Sequence, residues 1–188
     1  EQNATGAAAS IDRIVRRGFP VLMRLELRGL SYAPARGGWR ANTEAADLHI
    51  SLTNPQHVTL EARAPIAVAR ENGAVTNVSA DALIATLRTE RGALAAAGVQ
   101  ADNLVLDDPA EEGVLRAARI VISVRPDQRQ AGDYQLAFDA QALTLPRPVR
   151  SFETFGLDAA ALRAAIVVSH GAALLQSSPG DPLGPWRE

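Results

Sequence analysis

The chain has 188 residues, a formal net charge of -2, no cysteine and only 4% aromatic residues. Such a length can bury a core without staples, the charge gives no bulk attraction for nucleic acid or an anionic membrane surface, and the lack of cysteine excludes disulfides, thiolate nucleophiles and Cys-based zinc sites. Every basic residue is arginine, which is read here as a GC-rich composition rather than as selection for bidentate phosphate donors.

Residues 1–20 read as an N-terminal segment with a short helix: Ser10 is the candidate N-cap, Ile11, Ile14 and Val15 recur at helical spacing, and Gly18 and Pro20 end the run. No stretch approaches the roughly 20 apolar residues of a membrane span. The start is small and polar rather than a signal sequence, which leaves room for a targeting segment or an anchor ahead of residue 1.

From Val21 the period changes to two. Val21, Met23, Leu25 and Leu27 alternate with Arg24, Glu26 and Arg28, as in a strand covered on one face. Ala35 to Gly38 supply turn residues. Leu48, Ile50 and Leu52 then alternate with His49, Ser51 and Thr53 up to a turn at Asn54-Pro55. Val58, Leu60 and Ala62 alternate with Thr59, Glu61 and Arg63, and Ile66 and Val68 continue beyond Pro65. That proline cannot donate to a ladder, so it marks an edge or a bulge. Glu71-Asn72-Gly73 is a hairpin turn, because Asn-Gly takes up positive φ readily.

Ser79 to Arg91 fits a helix capped by Ser79 or a strand through Leu83, Ala85 and Leu87, and its neighbours favour the strand. Val99 to Leu106 is the next strand and Asp107 to Gly113 a solvated turn. Ala118, Ile120, Ile122 and Val124 form the cleanest late strand. After a loop over Pro126 to Asp133, Tyr134, Leu136, Phe138 and Ala140 return in a hairpin. Pro146 and Pro148 break the sheet. Asp158 caps a short helix over Ala159 to Ala165, and Ile166 to Val168 with Ala172 to Leu175 make a last strand. The expected fold is mostly β (α+β): a large curved antiparallel sheet, half-barrel or groove-like, with two or three short helices, residues 21–188 forming a single β-rich domain.

Catalytic signatures are missing. His49, His57 and His170 are far apart and lack the spacing of zinc ligands, so no metal is expected. Asp107, Asp108, Glu111 and Glu112 cluster without the alternating ladder of a calcium loop. There is no nucleophile elbow, Walker loop or dinucleotide turn. No cofactor and no enzymatic activity are expected, and a hydrolase using His57 or His170 is a distant third reading.

Three stretches together carry a resemblance: Gly18-Phe19-Pro20 running into Arg24-Leu25-Glu26-Leu27, Gly38-Trp39-Arg40 leading to Asn54-Pro55-Gln56-His57-Val58, and Asp181-Pro182-Leu183 with Trp186-Arg187. They resemble the domain-of-unknown-function family 2125, envelope proteins of alphaproteobacteria. The resemblance implies an inner-membrane anchor, a periplasmic body and a β-stranded C-terminal half beyond this chain. It carries over no catalytic residue. The pattern is also similar in style to AsmA-like envelope proteins associated with lipid handling, an analogy of architecture alone.

A sheet with one apolar face must cover it, since about 25 cal/mol is lost per Å² left in water. The first reading is that the sheet curls on itself into a sandwich or half-barrel and covers its own face; with short helices and few aromatics, an apolar ligand or a partner domain is the other source of cover. The expected function is therefore non-enzymatic: binding or shielding a hydrophobic, lipid-like molecule on a concave face built from Leu25, Leu27, Ile50, Leu60, Ile120, Ile122, Leu136 and Phe138. The alternative is a structural or protein-interaction module whose apolar face packs on the C-terminal half or on a partner.

Overall fold

The computed structural model describes residues 7–18, 22–34, 38–109, 113–146 and 156–169. They contain twelve strands and no helix. In chain order these are β1 (Ala8–Ser10), β2 (Arg13–Arg17), β3 (Leu22–Ala33), β4 (Trp39–Ser51), β5 (Asn54–Ala62), β6 (Ile66–Arg70), β7 (Val75–Ser79), β8 (Ala82–Glu90), β9 (Ala93–Asp107), β10 (Val114–Pro126), β11 (Tyr134–Thr144) and β12 (Asp158–Val168). All belong to one antiparallel sheet.

The pairings of β4, β5, β8, β9, β7 and β6 form a ring, but register shows that it is not a barrel. β7 and β8 pair with β9 in one unbroken register, Ser79↔Val105 leading to Ala82↔Asp102, with only Ala80 and Asp81 off the ladder. β5 and β6 likewise follow β4, from Ala46↔Ala62 to Thr43↔Ile66, one extra residue being taken up around Pro65. β1 and β2 share a single register on β3, interrupted at Ile11 and Asp12. The twelve strands are thus nine extended segments, each paired only with its neighbours in the chain: a meander with local interruptions.

Those interruptions are aligned. The missing ladder pairs in β3–β4, β9–β10 and β11–β12 fall at Gly29 and Glu44, at Asn103 and Ala118, and at Ala142 and Ala160. Asp12, Pro65 and Asp81 continue the same line across the remaining segments. Three of these residues have left-handed backbone: Gly29 (φ 62), Asn103 (φ 51) and Ala142 (φ 47). Such residues in a strand interrupt pairing and re-aim the side chains that follow.

The apolar alternation crosses this line with a step of three residues instead of two: Ile11 to Ile14, Leu27 to Leu30, Ala101 to Leu104, Ala117 to Ile120 and Ala140 to Leu143, with the buried Thr43 and Ala46 making the same step on β4. Packing proves the step. Ala117, Ala140 and Leu143 form one buried cluster, with Leu115, Ile120, Phe138, Leu145 and Ala159 against it. Odd and even positions therefore meet on one face. The buried apolar residues of the described part, Leu27, Ala45, Ala46, Ala101, Leu104, Ala117, Ala140 and Leu143, all lie within two residues of the line. Five of the eight are alanines, so the core is a thin seam of small side chains.

Two sequence expectations are corrected. The helix expected over residues 10–17 is strand: Ile11 and Ile14 are three apart because they straddle the line of interruptions, and Arg13–Arg17 pair with Arg24–Arg28. The helix expected over Ala159 to Ala165 is β12, whose Ala159 and Leu162 make the same step and whose ladder with β11 overrides the helical preference of alanine. Smaller differences follow. The turn before β5 is Leu52–Thr53, so Asn54-Pro55 already belongs to the strand. Val75–Ser79, beyond the Asn72-Gly73 hairpin, is a strand the alternation did not single out. The strand reading of Ser79 to Arg91 holds as β8. Residues 172–175 and Pro148 lie outside the described residues.

Candidate apolar binding face

Cross-strand partners in an antiparallel pair share a face, so the register lists each face row by row. One row runs Leu25–Leu48–Leu60–Ala85–Val99–Ile122–Phe138–Ala164 from β3 to β12. Beside it runs Leu27–Ala46–Ala62–Leu83–Ala101–Ile120–Ala140–Leu162, and on the other side Met23–Ile50–Val58–Leu87–Ala97–Val124–Leu136–Ile166. All 24 positions are apolar. With neighbouring strands about 4.8 Å apart, eight strands make a wall about 34 Å wide.

All eight residues named from the sequence stand on these three rows: Leu25, Leu60, Ile122 and Phe138 on the central one, Leu27 and Ile120 on the second, Ile50 and Leu136 on the third. The sequence thus identified one contiguous surface. It left out the small residues Ala46, Ala97 and Ala101, which together with Ala62 and Ala85 keep the middle of the wall shallow.

Burial falls off with distance from the seam. Leu27 is buried at 4% exposure, whereas Val99 is 40%, Leu87 46% and Ile166 55% exposed. Among the described residues no helix or second sheet covers the wall. At the N-terminal end of the seam a cleft of about 550 Å³ opens between Asp12, Gly29, Thr43, Glu44 and Pro65.

The opposite face is polar, as the alternation requires. Glu26, Asp47 and Glu61 stand directly opposite one another on β3, β4 and β5. Like charges in such positions repel, and arginines offset this. Asp47 Oδ2 accepts from Arg24 Nη2 at 2.7 Å and from Arg63 Nε at 2.6 Å, Arg63 Nη1 lies 2.9 Å from Glu61 Oε1, and Glu26 takes Arg28. Farther along, Arg163 Nε donates to Asp139 at 2.7 Å and Arg119 Nη2 to Gln100 at 3.1 Å. Burial acts to raise the carboxyl pKa of Asp47, but the hydrogen bonds from Arg24 and Arg63 outweigh it and hold the pKa below its usual value. The guanidinium of Arg63 is correspondingly raised by Asp47.

His49 lies on this polar face, half-buried, with Nε2 3.7 Å from Glu61 Oε2. His57 is exposed on β5 opposite Arg88, and His170 lies outside the described residues. Asp108 is tied down structurally, accepting from Arg70 at 2.7 Å and Thr76 at 2.8 Å. Asp107 is the last residue of β9, paired to Val114, and Glu111 and Glu112 lie outside the described residues. No helix of the described residues is long and apolar enough to cross a membrane.

Residues 1–183 match the family model described as an uncharacterized protein conserved in bacteria (DUF2125). The chain belongs to that family. No curated protein and no solved structure matches it.

Proposed function

We propose that this DUF2125 protein binds or shields a hydrophobic, lipid-like molecule without catalysing a reaction, using the three-row wall as its binding face. The observation that carries the reading is the wall itself: 24 apolar positions with no polar interruption, several of them large and exposed. Patches of this extent on a single chain mark a surface that meets something apolar. In this reading the sheet curves along its line of interruptions into a half-barrel or groove, because interrupted, re-aimed strands bend. The wall lies on the inner side, since side chains from both flanks of the line touch there. The protein works in the periplasm, held at the inner membrane by an N-terminal anchor, where acylated molecules are at hand.

Native mass spectrometry and solvent extraction of the protein purified from envelopes test this. Co-purifying acyl-chain molecules, depleted in an Ile122→Asp variant, are expected. Repeatedly ligand-free protein would overturn the reading. A second reading is favoured by β12, which among the described residues is an edge strand with no further strand paired to it and whose Leu162, Ile166 and Val167 are 39%, 55% and 52% exposed. Here the face and edge pack on a further half of the same protein or on a partner. Binding of a hydrophobic dye by residues 1–188, lost in a longer form of the protein, would support this over lipid binding.

A further inference from the structure

Asp47 and His49 are two residues apart on β4 and so share a face, and Glu61 is the direct cross-strand partner of Asp47 on β5. One ligand atom from each of the three lies within 4.8 Å of the others. This set was invisible to spacing rules, because pairing between two strands, not sequence distance, assembles it.

Two further observations concern lone pairs. Asp47 has a side chain 1% exposed, yet its Oδ1 has no hydrogen-bond partner, and neither has the buried Nε2 of His49. Both guanidinium groups that bind Asp47 use Oδ2, and Arg63 meets Glu61 through Oε1. Each carboxylate is thus held by one oxygen and left with the other. Oriented ligands of this kind, with the second oxygen tied to a neighbouring donor, are how metal sites are prepared.

We propose that Asp47, His49 and Glu61 form a divalent-cation site on the polar face, on the reverse of the apolar wall, with zinc as the best-suited ion. One imidazole and two carboxylates make a three-residue zinc ligand set that leaves a fourth position for water. Bonds of 2.0–2.2 Å in a tetrahedron separate ligand atoms by about 3.4 Å, and His49 Nε2 already lies 3.7 Å from Glu61 Oε2. Arg24 and Arg63 are 42% and 45% exposed, so water screens their repulsion of the ion while their hydrogen bonds fix the ligands. Softer, thiolate-preferring ions are disfavoured by the donor set.

Titration calorimetry of the chelator-stripped 188-residue chain with zinc sulfate, and visible spectroscopy with cobalt chloride, test the site. Expected are one saturable zinc equivalent, tetrahedral cobalt bands, and a loss of affinity of about tenfold or more in His49→Gln and in Glu61→Gln. Both substituted side chains are partly exposed, and circular dichroism of each variant checks that the sheet is intact. Absence of saturable zinc binding overturns the proposal, as does binding unchanged in both variants, which would place the ion at another histidine.

Discussion

Asp47 lies wholly out of water at 0% exposure, but on a sheet with little core, where its only cover is the side chains around it. Its carboxylate is therefore a structural anion for Arg24 and Arg63. Because its pKa is depressed in the folded protein, the stability it contributes is fully present above the unfolded carboxyl value of about 3.9 and is lost as pH falls through the lower folded value. Denaturant midpoints measured from pH 7 downward are expected to hold until about pH 4 and then drop, with the drop weakened in Asp47→Asn. At neutral pH that substitution is expected to cost about 1.5–3 kcal/mol, the range for hydrogen bonds to charged groups, and urea titration reads it directly. The identity of such a residue could not be read from the sequence. The alternation puts Asp47 on the polar side, yet its burial comes from two arginines, one on β3 and the other just beyond β5, that only the register brings to it.

At the level of the strand, the three-residue step explains both what was legible and what was misread. Where the alternation runs unbroken, as in Met23 to Leu27 or Ile120 to Val124, period two identified strand and face, whereas Ala118, read with the second run, sits on the line of interruptions and its place on the buried face is taken by Ala117. Where the step occurs, two apolar residues three apart imitate a helical turn, as at Ile11 and Ile14; over Ala159 to Ala165 it is the Asp158 cap and the run of alanines that imitate a helix. The sequence does carry the distinguishing signal: the same step recurs once in most of the extended segments, which an isolated helix would not do. The backbone at the step yields two opposite expectations. Ala142 has φ 47, which costs a residue with a Cβ about 1–2 kcal/mol, so Ala142→Gly should be neutral or stabilise by up to about 1 kcal/mol. Gly29 has φ 62, and a Cβ there would fall 1.9 Å from Asp12 Oδ2, so Gly29→Val should destabilise by about 2–3 kcal/mol. Thermal melts of the two variants check both signs. Asn103→Gly should change less than Ala142→Gly, since asparagine tolerates this conformation better.

Across the whole molecule, a wide apolar face with its burial confined to a seam divides stability from recognition. Substitutions at the seam, such as Ala140→Asp, should unfold the protein. Substitutions out on the wall, such as Ile122→Asp at 37% exposure, should leave the circular dichroism spectrum intact and reduce hydrophobic-dye fluorescence several-fold, as expected when a charge interrupts an apolar patch. The two edges differ as well. β2 carries Arg13, Arg16 and Arg17 and is separated from β1 by a break, features that deter strand addition. β12 runs eleven residues with Arg163 as its sole basic side chain, and lacks them.

Pairing only between chain neighbours gives the protein an additive construction. Among the described residues no ladder joins distant parts of the chain, so their loop-closure costs stay small and folding can spread hairpin by hairpin from any starting point. Inserting or deleting one hairpin would widen or narrow the oily panel by about 10 Å while every other ladder kept its partners. For the apolar ligand proposed above, size on this plan becomes a matter of counting repeats rather than redesigning a cavity.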